Sequence, residues 1–398
     1  MVGILEFSRY ERFIERELIR RIGYTNGLHD IFRFARVVEY LHPIISITQT
    51  SFRATIIREE KKLKTKSIIS GVEYSQGIID ISRSLLLIDK IGQKLSLSDR
   101  GYALHALQQS GLKKDENIRA FLLMCVLDSD GECVLNLLDI LKNKLSIKEI
   151  GENLLEDRMM KSIIIKEKWA EKFINSTLAR DVILNHLEKS HEKLKNALDP
   201  TTKDLSKSRG KERLSGDERV ETFFEHTITP RIRWLKDLKC IEGKGLKNYE
   251  ITAFGNRLLD FFKTSRCFQE DIFILPLSPW LLKIVGIKNI ADDDPNLFWH
   301  AIANAFNPTT ETCNIDEKRL FELIKKIYPY LKMYGFNQAE ISSVFHTLSG
   351  MGSTKGKYFE YEDELNKKIE NMIKLSPDEV YHLSKRRGYG GYISLKKF

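Results

Sequence analysis

The chain has 398 residues, 42% of them hydrophobic and 30% charged, with a formal net charge of +9 and a pI near 9.0. That length accommodates two or three domains with real cores, and the composition excludes a disordered or fibrous chain. The basic excess favours an acidic partner, nucleic acid before membrane, and no run approaches the roughly 20 apolar residues that a spanning helix needs.

Five scattered cysteines, Cys125, Cys133, Cys240, Cys267 and Cys313, form no C-x-x-C pair. Neither a disulfide framework nor a thiolate zinc site is indicated, and a reducing, cytoplasmic location fits. The opening MVGILEFSRYERFIERE turns charged too soon to read as a signal peptide. No cofactor is expected.

In chain order, Tyr10–Arg21 reads as a charged amphipathic helix, broken by Gly23 and Asn26-Gly27. Asp30–Leu41 is a second helix ended by Pro43, and Thr50–Lys66 a third. The third closes in a basic run from which Arg58, Lys61 and Lys62 are candidate phosphate contacts. Next comes a composite signal: helix Ser75–Leu86, strand Leu87–Lys90, turn Ile91-Gly92-Gln93 and strand Lys94–Ser98. The pattern Ser98-x-x-Gly101-x-x-Leu104 then opens another helix, with Ser98 as its cap.

Asn117–Leu127 and Glu132–Lys142 are expected as helices separated by an Asp128-Ser129-Asp130-Gly131 turn, which lacks the spacing of a calcium loop. Ser146-Ile147-Lys148-Glu149 is a capping box, and Glu167–Leu198 a long, charged, largely helical stretch. Its His186 and His191 stand five apart, on different faces, so a shared metal is not indicated. Thr201–Gly216 is almost free of apolar residues and reads as a basic linker. Its Lys207, Arg209 and Lys211 serve either a plain tether or an arm along a phosphate backbone.

The composite signal then recurs. Thr229-Pro230 starts a helix through Leu238, followed by a strand to Glu242, a Gly243-Lys244-Gly245 turn and a strand at Asn248–Thr252. Thr252-x-x-Gly255-x-x-Leu258 opens the next helix. Arg231, Arg233 and Lys236 are expected on the exposed face, contacting DNA, with Trp234 and Leu235 in the core. Lys244 and Lys247 flank the hairpin turn and complete the candidate DNA contacts.

Ile272–Val285 reads as a buried, proline-interrupted segment. Helices are expected at Leu297–Phe306, Asp316–Tyr334, Gln338–Leu348 and Tyr361–Ile373, and a last one capped at Ser376. The basic, glycine-rich tail Lys385–Tyr392 suits either nucleic-acid contact or an added edge strand. The expected division is a helical and winged domain at 1–115, a helical region at 116–200, the linker at 201–216, a second winged domain at 217–290 and a helical domain at 291–398.

No catalytic residue stands out. Gly350–Lys357 has the wrong spacing for a P-loop, with Tyr358 where Ser or Thr should follow, and reads as a loop. No strand carries the Glu-x-Lys of a restriction-type nuclease, and no Gly-x-Ser-x-Gly or His-Glu-x-x-His occurs.

The two composite units, with Leu97-Ser98-Asp99-Arg100-Gly101-Tyr102 and Ile251-Thr252-Ala253-Phe254-Gly255-Asn256, resemble the tandem winged-helix domains of bacterial DNA-binding proteins. Their setting is similar to the DNA-recognition part of type IIS restriction endonucleases. The resemblance implies a mainly α chain with small β-hairpins, in which two winged-helix units are embedded among other helices. It implies duplex DNA as partner, and a specificity or sensor subunit of a restriction or anti-phage defence complex. Two alternatives stay open: winged helices used as a protein-interaction scaffold, and a nuclease whose catalytic site the sequence does not display.

Overall fold

The computed structural model describes residues 18–23, 25, 28–42, 44, 46–63, 72–110, 115–143, 150, 154–175, 177–198, 227–243, 249–265, 267–275, 296–308, 315–333, 337–352, 362–375, 380–386 and 389–396. In chain order the elements begin α1 (Phe32–Leu41), β1 (Ile47–Thr48), α2 (Gln49–Lys62), α3 (Val72–Ser84), β2 (Ile88–Ile91), β3 (Lys94–Leu97), α4 (Asp99–Gln109) and α5 (Asp115–Lys142). They continue α6 (Leu155–Phe173), α7 (Thr177–Leu198), α8 (Thr229–Asp237), β4 (Ile241–Gly243), β5 (Tyr249–Ile251), α9 (Ala253–Thr264), β6 (Phe268–Gln269) and β7 (Ile272–Phe273). The last are α10 (Leu297–Phe306), α11 (Glu317–Leu331), β8 (Ala339–Glu340), α12 (Ile341–Gly352), α13 (Glu362–Leu375), β9 (Val380–Arg386) and β10 (Tyr389–Leu395). The chain is mainly helical, with small antiparallel strand groups.

The residues sort into two units, each made of two chain segments: Asp30–Cys125 with Phe298–Phe398, and Met1–His29 with Val126–Leu297. In the first, α1, β1, α2 and α3 lead into the β2–β3 hairpin. Strand β1 pairs with β3 (Ile47 opposite Leu95), giving an antiparallel sheet in the order β1-β3-β2. The hairpin turns in two residues, and Gly92 takes a left-handed φ of 60° that a side chain would resist. Three ties hold α1 to α2 through a buried acid. Glu60 pairs with Arg33 at 3.2 Å, and it accepts from Arg36 Nε at 3.1 Å and Tyr40 OH at 3.0 Å.

Helix α4 packs against α1, α11 and α12. Gly350 sits at one such contact, where an added Cβ would come within 3.0 Å of Leu107 Cδ1. Gly350-Met351-Gly352 is therefore the buried end of α12 and not part of the loop expected there, and the rest of that stretch, 353–357, lies outside the described residues. Near the C-terminus the last helix expected from Ser376 is not formed, while the added strand expected as one reading of the tail is present. In place of the last helix, β9 pairs with β10 and β10 with β8, in the order β8-β10-β9. Aromatic and β-branched residues such as Val380, Tyr381 and Ile393 fit a ladder better than a helix, so strand pairing overrides the Ser376 capping signal.

In the second unit α6 packs on α7. The largely helical stretch expected at Glu167–Leu198 is two helices, parted where Ile174 turns extended with ψ 108°. The break expected at Asp128–Gly131 between two helices is present in narrower form, as a kink within α5. Helix α5 continues through it, and only Asp130 leaves the helical region, at φ −141° and ψ 17°. Further along α5, Asn136 takes the part of a strand edge. Its Nδ2 donates to Phe273 O at 2.9 Å, and its Oδ1 accepts from Phe273 N at 3.0 Å. One turn earlier, Glu132 Oε1 accepts from Leu275 N at 3.0 Å and from the buried ammonium of Lys166, while Oε2 accepts from Ser162 at 2.8 Å. The segment Ile272–Leu275 is buried as expected, and the rest of that apolar stretch, 276–285, lies outside the described residues.

Candidate nucleic-acid interface

The two composite signals fold into the same frame. Ser98 caps α4 by accepting from Gly101 N at 3.0 Å, and Thr252 caps α9 by accepting from Gly255 N at 3.0 Å. Each cap hydroxyl also donates back to the residue before the hairpin, Ser98 to Leu86 O and Thr252 to Lys239 O. Both of those residues have a left-handed backbone, φ 55° at Leu86 and 64° at Lys239. The amides that follow turn inward alike, Leu87 N to Ser82 O at 2.9 Å and Cys240 N to Leu235 O at 2.8 Å.

The glycines explain the spacing. A Cβ on Gly101 would lie 2.3 Å from Leu87 O, and one on Gly255 would lie 2.2 Å from Cys240 O. These are backbone oxygens that cannot swing aside, so hairpin and following helix come this close only where the helix has no side chain. The small-residue position three after the cap was legible in the sequence, and its cause is this contact.

In the second unit, α8 is the helix before the hairpin. Trp234 and Leu235 are buried as expected, and Trp234 Nε1 donates to Leu28 O at 2.8 Å. Arg233 and Lys236 are exposed. Lys236 Nζ donates to Gly243 O at 2.8 Å, which ties the helix to the far end of β4. Arg233 acts electrostatically on Tyr249 of β5, whose phenol is pushed up by partial burial and drawn back by that guanidinium. A cation from the helix and a phenol from the hairpin thus lie near one another.

Arg231 is a correction. Expected on the exposed face, it is wholly buried. Its Nε donates to Asp130 Oδ2 at 2.6 Å, its Nη2 to Asp130 Oδ1 at 3.1 Å and to Ile22 O, and its Nη1 to Thr227 O at 2.7 Å. Asp130 also accepts from Ile22 N at 2.6 Å. The kink in α5 is therefore the place where one carboxylate gathers α8 and the segment near Ile22. Burial works to lower the Arg231 pKa, but the Asp130 charge and hydrogen bonds more than offset it, and the guanidinium stays charged. Counting alternating basic and apolar residues along α8 does not reveal this, because the partner lies 101 positions away.

Around this pair lie further buried charges. Arg20 meets Asp128 at 3.4 Å, Arg21 meets Glu156 at 2.7 Å, and Arg158 and Lys263 both reach Asp139 at 2.8 Å. Each of these acids has a cationic partner, the arrangement of a structural network. Among the described residues, no group of three or more His, Cys, Asp or Glu is placed to hold a metal ion. The thiols of Cys133 and Cys240 are pushed up to about 12 by burial, far from the reactive range.

On the first unit, Arg58, Lys61 and Lys62 are exposed on α2. Lys244 and Lys247, and the linker residues Lys207, Arg209 and Lys211, lie outside the described residues. One cluster had no sequence signal at all. His42, at the end of α1, and His105, on α4, stack with ring centroids 3.4 Å apart and an interplanar angle of 15°. Tyr102 and Tyr330 meet the pair edge-on. Burial, and then the neighbouring His42, hold the His105 pKa down at about 3.

Among the described residues, no helix is long and apolar enough to cross a membrane. No protein-family model, no curated protein and no solved structure matches the chain.

Proposed function

We propose that the protein binds duplex DNA through the second repeat, with α8 as the helix that meets the duplex and the β4–β5 hairpin beside it. The observation that carries this reading is the division of labour on α8. Its buried side is committed to Trp234, Leu235 and the Arg231–Asp130 pair, which leaves Arg233 and Lys236 as cations on the exposed side, next to the hairpin. A rigid helix bearing cations suits the phosphate backbone and the base edges of a major groove. The net charge of +9 supports the same partner. Lys244 and Lys247, which fall between β4 and β5 in sequence, would add phosphate contacts, and Lys207, Arg209 and Lys211 would add a basic arm. The resemblance to restriction-enzyme recognition domains suggests a specificity or sensor role in restriction or anti-phage defence, assembled with other subunits.

Titration of a labelled duplex between roughly 50 and 200 mM salt tests the reading. Binding that weakens linearly in log K against log salt is expected, and no binding at the low-salt end overturns it. One observation favours a second reading, a protein-interaction role for the first repeat. Its helix α3 carries Asp80, tied to Arg83 at 3.8 Å and accepting from Gln76 at 2.9 Å, which does not invite a polyanion.

A further inference from the structure

The first repeat matches the exposed cations of α8 with Asp80 and its ion-paired Arg83, whereas its neighbouring helix carries several exposed cations. On α2, the inner side carries Phe52, Ile56 and Glu60, all buried, while Arg58, Lys61 and Lys62 stand on the outer side. Arg58 and Lys62 are 68% and 64% exposed. Both are held by one carboxylate. Arg58 Nε donates to Glu59 Oε1 at 3.0 Å, and Lys62 Nζ donates to Glu59 Oε1 at 3.0 Å and Oε2 at 2.8 Å. These hydrogen bonds, that of Lys62 first, keep the Glu59 carboxyl below its usual range and therefore ionised.

A phosphate oxygen and a carboxylate oxygen make the same demand on a guanidinium or an ammonium. Glu59 thus occupies the donors that a duplex would use, and adds a like charge where phosphates would lie. We propose that the outer face of α2 is a second, sequence-independent contact for the DNA phosphate backbone, and that Glu59 is an internal competitor that weakens it. The inference rests on the duplex-binding reading above and deepens it. The first repeat engages the backbone through α2, and α3, with its Asp80–Arg83 pair, stays out of the groove.

The test measures duplex binding across a salt series for the full chain, with Arg233 and Lys236 intact, as wild type, as R58A/K61A/K62A and as E59Q. The triple variant is expected to lower the slope of log K against log salt by about 2–3, at about 0.9 per lost phosphate contact. E59Q should tighten binding roughly twofold to fivefold at low salt, with the gain fading as salt screens it. A gain of affinity cannot come from a misfolded protein, so the second variant guards the first. If the wild type binds duplex with a salt slope that neither variant changes, the α2 contact is overturned and duplex binding through α8 stands. If the wild type binds no duplex at all, both fall together.

Discussion

The two repeats share the cap and inward-turning amide hydrogen bonds of their frame and disagree in what the helix before the hairpin buries and shows. Aligned on that frame, Arg231 takes the place of Ile78, Arg233 that of Asp80, and Lys236 that of Arg83. Ile78 and Arg231 are both fully buried, the first an apolar side chain and the second a cation paired with Asp130. The frame is therefore local. A hydroxyl cap, a glycine three residues on and one left-handed residue before the hairpin are enough to build it. The helix is then docked by whatever its own unit supplies, apolar packing in one case and a buried ion pair in the other.

The largest expected effect separates these two dockings. Arg231→Leu should cost about 3–5 kcal/mol in denaturant unfolding, because it leaves Asp130 buried without its cation. Ile78→Val should cost only about 0.5–1.5 kcal/mol. Adding Asp130→Asn to the first variant should recover part of the loss. Equal costs for the two single variants would mean that the ion pair does not fix α8.

The glycines probe what the repeats share. Gly101→Ala and Gly255→Ala should each cost about 1–3 kcal/mol, since either methyl meets a carbonyl oxygen. A large cost at one and none at the other, seen by calorimetry, would break the equivalence of the frames. Smaller again, Ser98→Ala and Thr252→Ala should each remove about 1 kcal/mol of cap stabilisation. Replacement of each by the other hydroxyl residue should restore most of it, and a failure of that rescue would show that the cap is not the shared element.

The last contrast is silent near neutral pH. Where the first repeat has His105, the second has Leu259, both buried. The folded His105 titrates at about 3 and the unfolded histidine near 6.5, so the unfolded chain binds the extra proton first. Stability that is complete above about pH 6.5 is therefore lost progressively as pH falls toward 3. His105→Leu, which copies the second repeat, should flatten that part of the curve measured by unfolding at several pH values. A curve of unchanged steepness would assign the acid sensitivity to other groups.

Much of the frame was legible because its determinants are neighbours in sequence. The caps at Ser98 and Thr252, the helix starts at Asp99 and Ala253 and the turn at Gly92 all follow from residues within a few positions. What escaped depends on distant partners. The exposed face expected of α8 failed at Arg231 because Asp130 belongs to another helix. Strand β1 is two residues long and exists through its pairing with Leu95 and Lys94. The final helix became a strand because β10 was there to pair with it. His42 and His105 meet only once α1 and α4 pack, and nothing local to either marks the stack.

One experiment bears most directly on the claim that the shared frame presents a DNA-binding face in the second repeat. Duplex binding is measured across a salt series for Arg233→Ala with Lys236→Ala, and separately for Asp80→Ala with Arg83→Ala at the matching positions of the first repeat. The account predicts that the first pair lowers the salt slope by about 1–2 and weakens binding, while the folded protein still melts as the wild type does. The second pair should leave both affinity and slope unchanged. Intact binding in the Arg233 and Lys236 variant, or an equal loss in the two pairs, would contradict it.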